Sequence, residues 1–443
     1  MSPTAHARID PERAALPAGE DARLDILIRL QAGDPPPTTD GPPLNLALVI
    51  DRSGSMSGQP LAEAVRVTRQ IIDQLRPTDR VALVTYDDTV RVDCPSQLLG
   101  DRSAFHAALA EIRSGGATAL HDGWLAGAEQ VAKHQSAEAI NRVLLLSDGQ
   151  ANEGLTDPEA IAEQGAELAR TQVTTTTVGL GHAFNEDLMI ALANAGQGNH
   201  YYGETAEDLS DPFRTELDLL RALCARGLEL RAETAPGVSL ELLNGYTAVG
   251  DRCWRLPDLA WGAEAWVLFA IQVPAKLPFG DGPLSVFRAY FRYTTTDEQT
   301  EEADAGWLSL PVRPAAELAE VPVDETVTRR RRELEAARLH EVAAAAAERE
   351  DWDQISDLCA EARPALAPDP WLAASLDSLE DVASTQDSSA FRKQARYKSE
   401  HLRRRLAPQN EGDNYSEQAE MQSPAYLRRK TREGRRFPDA EDE

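Results

Sequence analysis

Apolar and polar positions keep three rhythms along this chain, each predicting a different kind of element. Ala22-Arg23-Leu24-Asp25-Ile26-Leu27-Ile28-Arg29-Leu30 alternates at period two, as a strand with one buried face does, and Pro35-Pro36-Pro37 separates it from the next segment. From Leu46 the rhythm changes to continuous apolar runs spaced by helical patterns. Leu46 to Ile50 and Arg142 to Leu146 read as strands buried on both faces. Leu61 to Leu75 has apolar residues at helical spacing and stops before Pro77. Arg80 to Tyr86 is a strand, and Thr89 to Val92 forms a short antiparallel edge after Asp87-Asp88. Phe105 to Ile112 and Trp124 to Val131 are helices, and Pro158 opens another at the favoured first-turn position. Val173 to Val178 is a threonine-rich strand, Leu188 to Leu192 a helix and His200 to Tyr202 a final strand. Strands alternating with helices predict an α/β unit over residues 44–222, with a doubly wound, mostly parallel, Rossmann-like sheet.

The third rhythm begins after Cys224. Gly227 to Ala232, Val238 to Leu243, Trp266 to Val273 and Phe287 to Tyr293 are short strands with turn residues between them, which predicts a small β-sandwich over residues 225–313. A lone strand in residues 1–40 is not stable by itself, so it joins that sandwich. The α/β unit is then inserted in the sandwich or joined to it. From Asp324 helical spacing takes over: Glu325 to Glu348, then Ile355, Leu358 and Cys359, then Trp371, Leu372, Leu376 and Leu379, then Phe391 to Leu406. Short connections make residues 324–406 an α-helical bundle or set of hairpins. Residues 407–443 read as a polar, flexible tail, in which Tyr426 to Lys430 and Arg435 to Pro438 are candidate docking segments. The runs Arg329–Arg332 and Arg403–Arg405 are expected to form solvated helix faces balanced by glutamates, with acidic partners as the alternative.

Composition narrows the classes. The chain has 73 acidic residues against 45 lysines and arginines, a formal net charge of -28, which disfavours nucleic acids and anionic membranes as partners. No apolar run approaches the roughly 20 residues that span a bilayer, and the first residues have no apolar core of a signal peptide. Cys94, Cys224, Cys253 and Cys359 show no pairing pattern, which suits a reducing compartment. A cytoplasmic location is therefore expected.

The chemistry sits where apolar runs end. Leu46 to Ile50 leads into Asp51-Arg52-Ser53-Gly54-Ser55, which puts one carboxylate and two hydroxyls on one side of a tight turn, with Gly54 easing the bend. Hard oxygen donors with little charge suit Mg²⁺. Asp and Ser after a strand also serve as helix N-caps, so this turn alone leaves both readings open. Two further segments bear on the choice. Ser114-Gly115-Gly116-Ala117-Thr118-Ala119-Leu120 presents a hydroxyl ahead of a helix, and Val143 to Ser147 leads into Asp148-Gly149.

Together these three segments resemble the metal-ion-dependent adhesion site of the von Willebrand factor type A family, over residues 44–222 and at all five positions: Asp51, Ser53, Ser55, Thr118 and Asp148. The resemblance implies that these residues share one Mg²⁺, with Mn²⁺ or Ca²⁺ as alternatives. Ser53 and Ser55 would bind directly, Asp51 and Asp148 directly or through water, and Thr118 would switch between the two. An Asp or Glu of another protein would fill the open position. The resemblance also implies that the Thr118 loop and the last helix of the unit, residues 205–220, couple occupancy to shape. Asp87 reads as a turn residue, with a place near the metal as the alternative. Gly179-Leu180-Gly181 reads as a turn rather than a phosphate loop, and His121, His182 and His200 lack zinc-like spacing.

No Ser-His or Cys-His arrangement recommends catalysis, so the protein is expected not to be an enzyme. The expected function is a divalent-metal-dependent protein–protein interaction module, as a scaffold or regulatory subunit. A client-delivering subunit of an ATPase-driven remodelling or chelatase-like complex is the alternative, and a metal-dependent hydrolase ranks below both. The chain is similar to stand-alone bacterial cytoplasmic proteins of this family, including calcium-activated-channel-like ones, and to plant relatives with a RING finger. It lacks RING cysteines and membrane spans, so neither ligase nor channel activity carries over.

Overall fold

The computed structural model describes residues 4–33, 41–148, 151–180, 185–203, 216–275 and 282–404. Strands β1 (Ala5–Pro11) and β2 (Ala22–Ala32) pair antiparallel. The α/β unit comes next as β3 (Leu44–Asp51), α1 (Gln59–Gln74), β4 (Arg80–Tyr86), β5 (Val90–Leu98), α2 (Ser103–Ala110), α3 (Leu120–Ala132), β6 (Ile140–Ser147), α4 (Pro158–Arg170), β7 (Val173–Leu180), α5 (Glu186–Ala195) and β8 (Gln197–Gly203). Its six-stranded sheet has the order β5-β4-β3-β6-β7-β8, parallel except for the edge strand β5. That edge is longer than the sequence suggested. It holds Pro95, and an edge strand tolerates the missing N–H.

Successive residues of β3 serve opposite faces of the sheet. Leu46, Leu48 and Ile50 join the cluster that contains Val67, Ile71 and Ile72 of α1, while Ala47 and Val49 pack with Trp124, Ala128 and Val131 of α3. Helix α3 lies so close that a Cβ on Gly127 would sit 2.4 Å from Cγ2 of Val49. The four threonines of β7 are buried, and their hydroxyls are satisfied internally: Trp124 Nε1 donates to Thr175 (3.0 Å), and Thr174, Thr176 and Thr177 donate to Asn141 O, Glu216 and Met189 O. Glu216 also accepts from Tyr201 and Asn199 and pairs with buried Arg142 at 3.0 Å, tying residue 216 to three strands. Most of the last helix expected over 205–220 lies outside the described residues.

Beyond the unit come β9 (Leu223–Thr234), β10 (Ser239–Leu242), β11 (Ala248–Gly250), β12 (Cys253–Arg255), β13 (Glu264–Val273), β14 (Leu284–Thr295) and β15 (Thr300–Leu310). They form two sheets, β1-β2-β13-β10 and β11-β12-β9-β14-β15. The sheets face each other: the Phe269 ring of β13 lies 5.0 Å from Trp254 of β12 and 5.7 Å from Phe287 of β14. The N-terminal strand β2 pairs along β13 from Ala22–Val273 to Gln31–Glu264. The chain's crossings into and out of the α/β unit meet at one turn, where Trp261 N donates to Ala222 O and Gly262 N to Gly33 O.

Helices α6 (Glu325–Glu348), α7 (Trp352–Leu366), α8 (Pro370–Ser384) and α9 (Ser388–Arg404) complete the described chain. Among the described residues no helix is long and apolar enough to cross a membrane. Helix α6 packs on the outer face of the first sheet through Val327 and Leu334 against Leu27, Trp266 and Leu268. The arginine run on this helix is not the solvated face its composition suggested. Arg330 is fully buried, with Nη2 3.2 Å from Glu264, Nη1 2.9 Å from Glu333 and its guanidinium 4.5 Å over the Trp266 ring. Glu264 also meets Arg29, which pairs with Asp10 at 2.8 Å. Arg331 reaches Glu12 and Asp25. These positions face the sheet because the helix must bury one side, and that side carries Arg330 as well as Val327 and Leu334. Helix α9 touches both the sandwich and the α/β unit: Arg403 O accepts from Asn244, while Arg392 and Arg396 pair with Glu186 and Asp187 at the start of α5. Arg405 and the tail lie outside the described residues.

Candidate metal centre

Strands β3 and β6 are neighbours, but the chain leaves them in opposite directions, to β4 from one and to β7 from the other. The crevice at the carboxyl ends of such a pair is where doubly wound sheets hold ligands. Asp51 is the last residue of β3, and Asp148 comes directly after the last residue of β6. A single 3₁₀ turn, Gly54–Met56, comes after Asp51 and is anchored by the buried Met56 side chain.

Asp51 is fully buried and held from several sides. Ser147 Oγ donates to its Oδ2 at 2.6 Å, Tyr86 OH to the same oxygen at 3.2 Å, and the Ser53 backbone N–H to Oδ1 at 2.8 Å. Burial pushes the Asp51 carboxyl above its usual range. The Ser147 and Ser53 hydrogen bonds oppose that rise, and the neighbouring Asp148 charge adds to it. Burial, and then the Asp51 charge, also push the Tyr86 hydroxyl well above its usual value, so it stays a donor. The hydroxyls of Ser53 and Ser55 lie 3.1 Å apart; Ser53 is buried and Ser55 faces solvent.

Thr118 arrives from a third segment, and backbone hydrogen bonds tie the three loops together. Gly54 N donates to Gly116 O at 2.9 Å and Gly115 N to Arg52 O at 2.7 Å. Thr118 N donates to Asn152 Oδ1 at 2.8 Å, while Asn152 N and Glu153 N donate back to Thr118 O. Asp87 joins the first two loops from behind. It accepts from Thr89 N and Oγ1, both at 2.8 Å, and from Gly116 N, and it pairs with Arg52 Nη2 at 2.8 Å. Burial raises Asp87, but the Thr89 hydrogen bonds and Arg52 outweigh it and hold the carboxyl below its usual range. A side chain at Gly115 would collide with this carboxylate, its Cβ lying 2.1 Å from Oδ2.

The structure thus places Asp51, Ser53 and Ser55 on one turn and Asp148 close enough for its charge to act on Asp51. Thr118 sits on a loop bonded to both other loops. Sequence reasoning missed the groups that hold this set: Ser147, Tyr86, Asn152 and Arg52. Ser147 and Tyr86 carried a signal, as hydroxyl-bearing residues at the carboxyl ends of predicted strands; Asn152 and Arg52 carried none. The donors are two carboxylates and three hydroxyls, all hard oxygens, which fits a small divalent cation and not a thiolate- or imidazole-loving one. No cluster of three or more His, Cys, Asp or Glu able to hold a metal exists among the described residues. His121 is committed to Asp122 and Gln164.

Residues 45–215 match the family model of the von Willebrand factor type A domain. Over that stretch the chain is similar to a type A domain. An uncharacterised protein of Synechocystis sp. is 28% identical over 249 residues, 53% of this chain and 59% of that protein, so the chain spans about three fifths of that relative's length. Two solved structures share the fold at 16% identity. The ArnB paralog VWA2 from Sulfolobus acidocaldarius has a TM-score of 0.61 and covers 91% of this chain and 98% of its own. A von Willebrand factor type A protein from Catenulispora acidiphila has a TM-score of 0.64, with 87% and 90% covered. Both likenesses extend well past the type A domain into the sheets and helices around it.

Proposed function

We propose that Asp51, Ser53, Ser55, Thr118 and Asp148 hold a divalent cation, Mg²⁺ in the first instance, and that the type A domain thereby binds a carboxylate of another protein. The observation that carries this reading is the burial of Asp51 beside Asp148 at the sheet's switch point. The groups acting most strongly on Asp51 include no cationic side chain. A carboxylate buried beside a second one is unfavourable, and a divalent cation relieves both. When bound, the cation supplies a positive centre with an open coordination position for a partner's oxygen. Ser147 and Tyr86 orient Asp51, the Ser53–Ser55 pair offers neutral oxygens that leave the positive charge undiminished, and Asn152 fixes the loop that presents Thr118. The polar groups around the donors are occupied in holding them, which favours an interaction module over a catalyst. The four cysteines are free and buried, which supports a reducing, cytoplasmic setting. A scaffold or regulatory role suits such a module.

Water-proton relaxation of Mn²⁺ tests the open position. Bound Mn²⁺ should enhance relaxation while it keeps exchangeable waters, and added acetate should lower the enhancement by displacing one of them. If acetate leaves the enhancement of bound Mn²⁺ unchanged, carboxylate acceptance is contradicted; if Mn²⁺ shows no enhancement at all, the metal reading fails.

A further inference from the structure

The loops around the candidate metal centre have an unusual charge balance. Residues 51–58, 87–89, 113–122, 148 and 151–157 carry seven acidic side chains, two arginines and no lysine. Among the acids, Asp88, Asp122 and Glu153 are exposed; Asp88 and Glu153 lie in two different loops and Asp122 in the first turn of α3. Asp88 lies against Gly116, where a Cβ would be 2.6 Å from its Cγ, and Gly116 is hydrogen-bonded to Gly54. The Asp122 carboxylate lies 3.7 Å from where a Gly154 Cβ would stand, and Glu153 is hydrogen-bonded through its backbone to Thr118. These carboxylates therefore rim the donor set.

Neither arginine compensates them. Arg52 is taken by Asp87 at 2.8 Å, and Arg113 Nη1 donates to the carbonyls of Ala110 (2.6 Å) and Ile112 (2.8 Å). Arg330 and Arg331 under helix α6, and Arg392 against Glu186, are engaged internally too. A divalent cation offsets Asp51 and Asp148 and leaves the rim negative. A partner must bring one more negative charge onto this face. At about 0.1 M salt the screening length is about 10 Å, so the rim acts on groups flanking the incoming carboxylate.

We infer that the partner is a protein that presents its Asp or Glu from a basic surface, with lysines or arginines flanking the carboxylate. This rests on the metal reading above and adds the chemistry of the partner to it. The bland alternative is a rim that only keeps the domain soluble, in which case flanking charge would not matter to binding at the metal. The rim also turns acidic partners away, since like charges brought together in an interface repel.

Four synthetic nonapeptides discriminate: a central Asp flanked by lysines, by serines or by glutamates, and the lysine-flanked peptide with Asn in place of Asp. Binding is measured by fluorescence anisotropy with saturating Mg²⁺ at low and at physiological salt. Mn²⁺ affinity of each protein is measured separately by calorimetry. The lysine-flanked Asp peptide should bind about tenfold tighter than the serine-flanked one at low salt, and the gap should shrink to about threefold at about 0.15 M. The variant Asp88→Asn/Glu153→Gln should lose most of that preference while still saturating with Mn²⁺ at one site. Equal binding of lysine- and serine-flanked Asp peptides, tighter binding of the glutamate-flanked one, or no binding of any peptide would overturn the inference. Equal binding of the Asp and Asn peptides would point instead to failure of the metal reading, because basic flanks alone would then suffice.

Discussion

Replacing Arg330 with methionine lowers the free energy of unfolding by about 3–5 kcal/mol, an effect expected when one member of a buried ion network is removed. Arg330 is fully buried between Glu264 and Glu333 and stacks over Trp266. Methionine restores most of the packing volume against Trp266 but leaves two carboxylates in a dry layer with less counter-charge. Arg29, 3.6 Å from Glu264, already serves Asp10. Arg331→Met on the same helix should shift stability by less than about 1 kcal/mol, because that side chain is 36% exposed and its pairs are screened. The triple change Arg330→Met/Glu264→Leu/Glu333→Leu should recover much of the loss, since a well-packed apolar layer can replace an ion network. Urea unfolding of the four proteins decides it. An Arg330→Met protein within about 1 kcal/mol of wild type would mean that the network does not hold helix α6 to the sheet.

Asp51→Asn has a much larger effect on stability when metal is present than in chelator. In chelator, the substitution removes a charge that burial and Asp148 both make unfavourable. The amide oxygen can take the Oδ2 position and accept from Ser147 and Tyr86, while the amide NH2 at the Oδ1 position gives up the Ser53 N–H bond. Relief of the charge and loss of one hydrogen bond oppose each other, so the variant should lie within about 1 kcal/mol of wild type. With Mg²⁺ at about 100 times its dissociation constant, wild type gains about 2.7 kcal/mol by mass action. The variant, which lacks one of two charged donors, should gain almost nothing. Thermal unfolding of both proteins with and without Mg²⁺ reads the difference. If the variant is destabilised by the same amount in both conditions, Asp51 braces the fold and does not bind metal.

Much of the type A fold was legible because a doubly wound sheet writes itself plainly. Strands buried on both faces, such as Leu46 to Ile50, read as apolar runs, and helices such as Leu61 to Leu75 keep their spacing. The sandwich was less legible at its edges. β15 buries only Ala303 and Leu310, and its other positions are acidic, small or half-exposed, so no period emerges. β1 alternates small and polar residues, and its pairing with β2 depends on a hydrogen-bonded register that no local pattern records. The arginine run misled for a different reason. Composition treats Arg as a surface residue, and only the tertiary arrangement reveals that Glu264, 66 positions earlier, waits for Arg330. At the candidate metal centre the five proposed donors were read from three motif segments, and the structure brings those segments together. Two of the supports were not, because Asn152 and Arg52 act through contacts between loops that are distant in sequence.

The central claim is a metal centre built from hydroxyls as much as carboxylates, and calorimetric titration of Mg²⁺ and Mn²⁺ into chelator-treated protein tests it most directly. The comparison is with Ser53→Ala/Ser55→Ala, which keeps both carboxylates and deletes two neutral oxygens. Saturable binding at one site in wild type, weakened at least about 100-fold in the variant, is the predicted result. Equal titration of the two proteins, or no heat of binding from either ion in wild type, would contradict it.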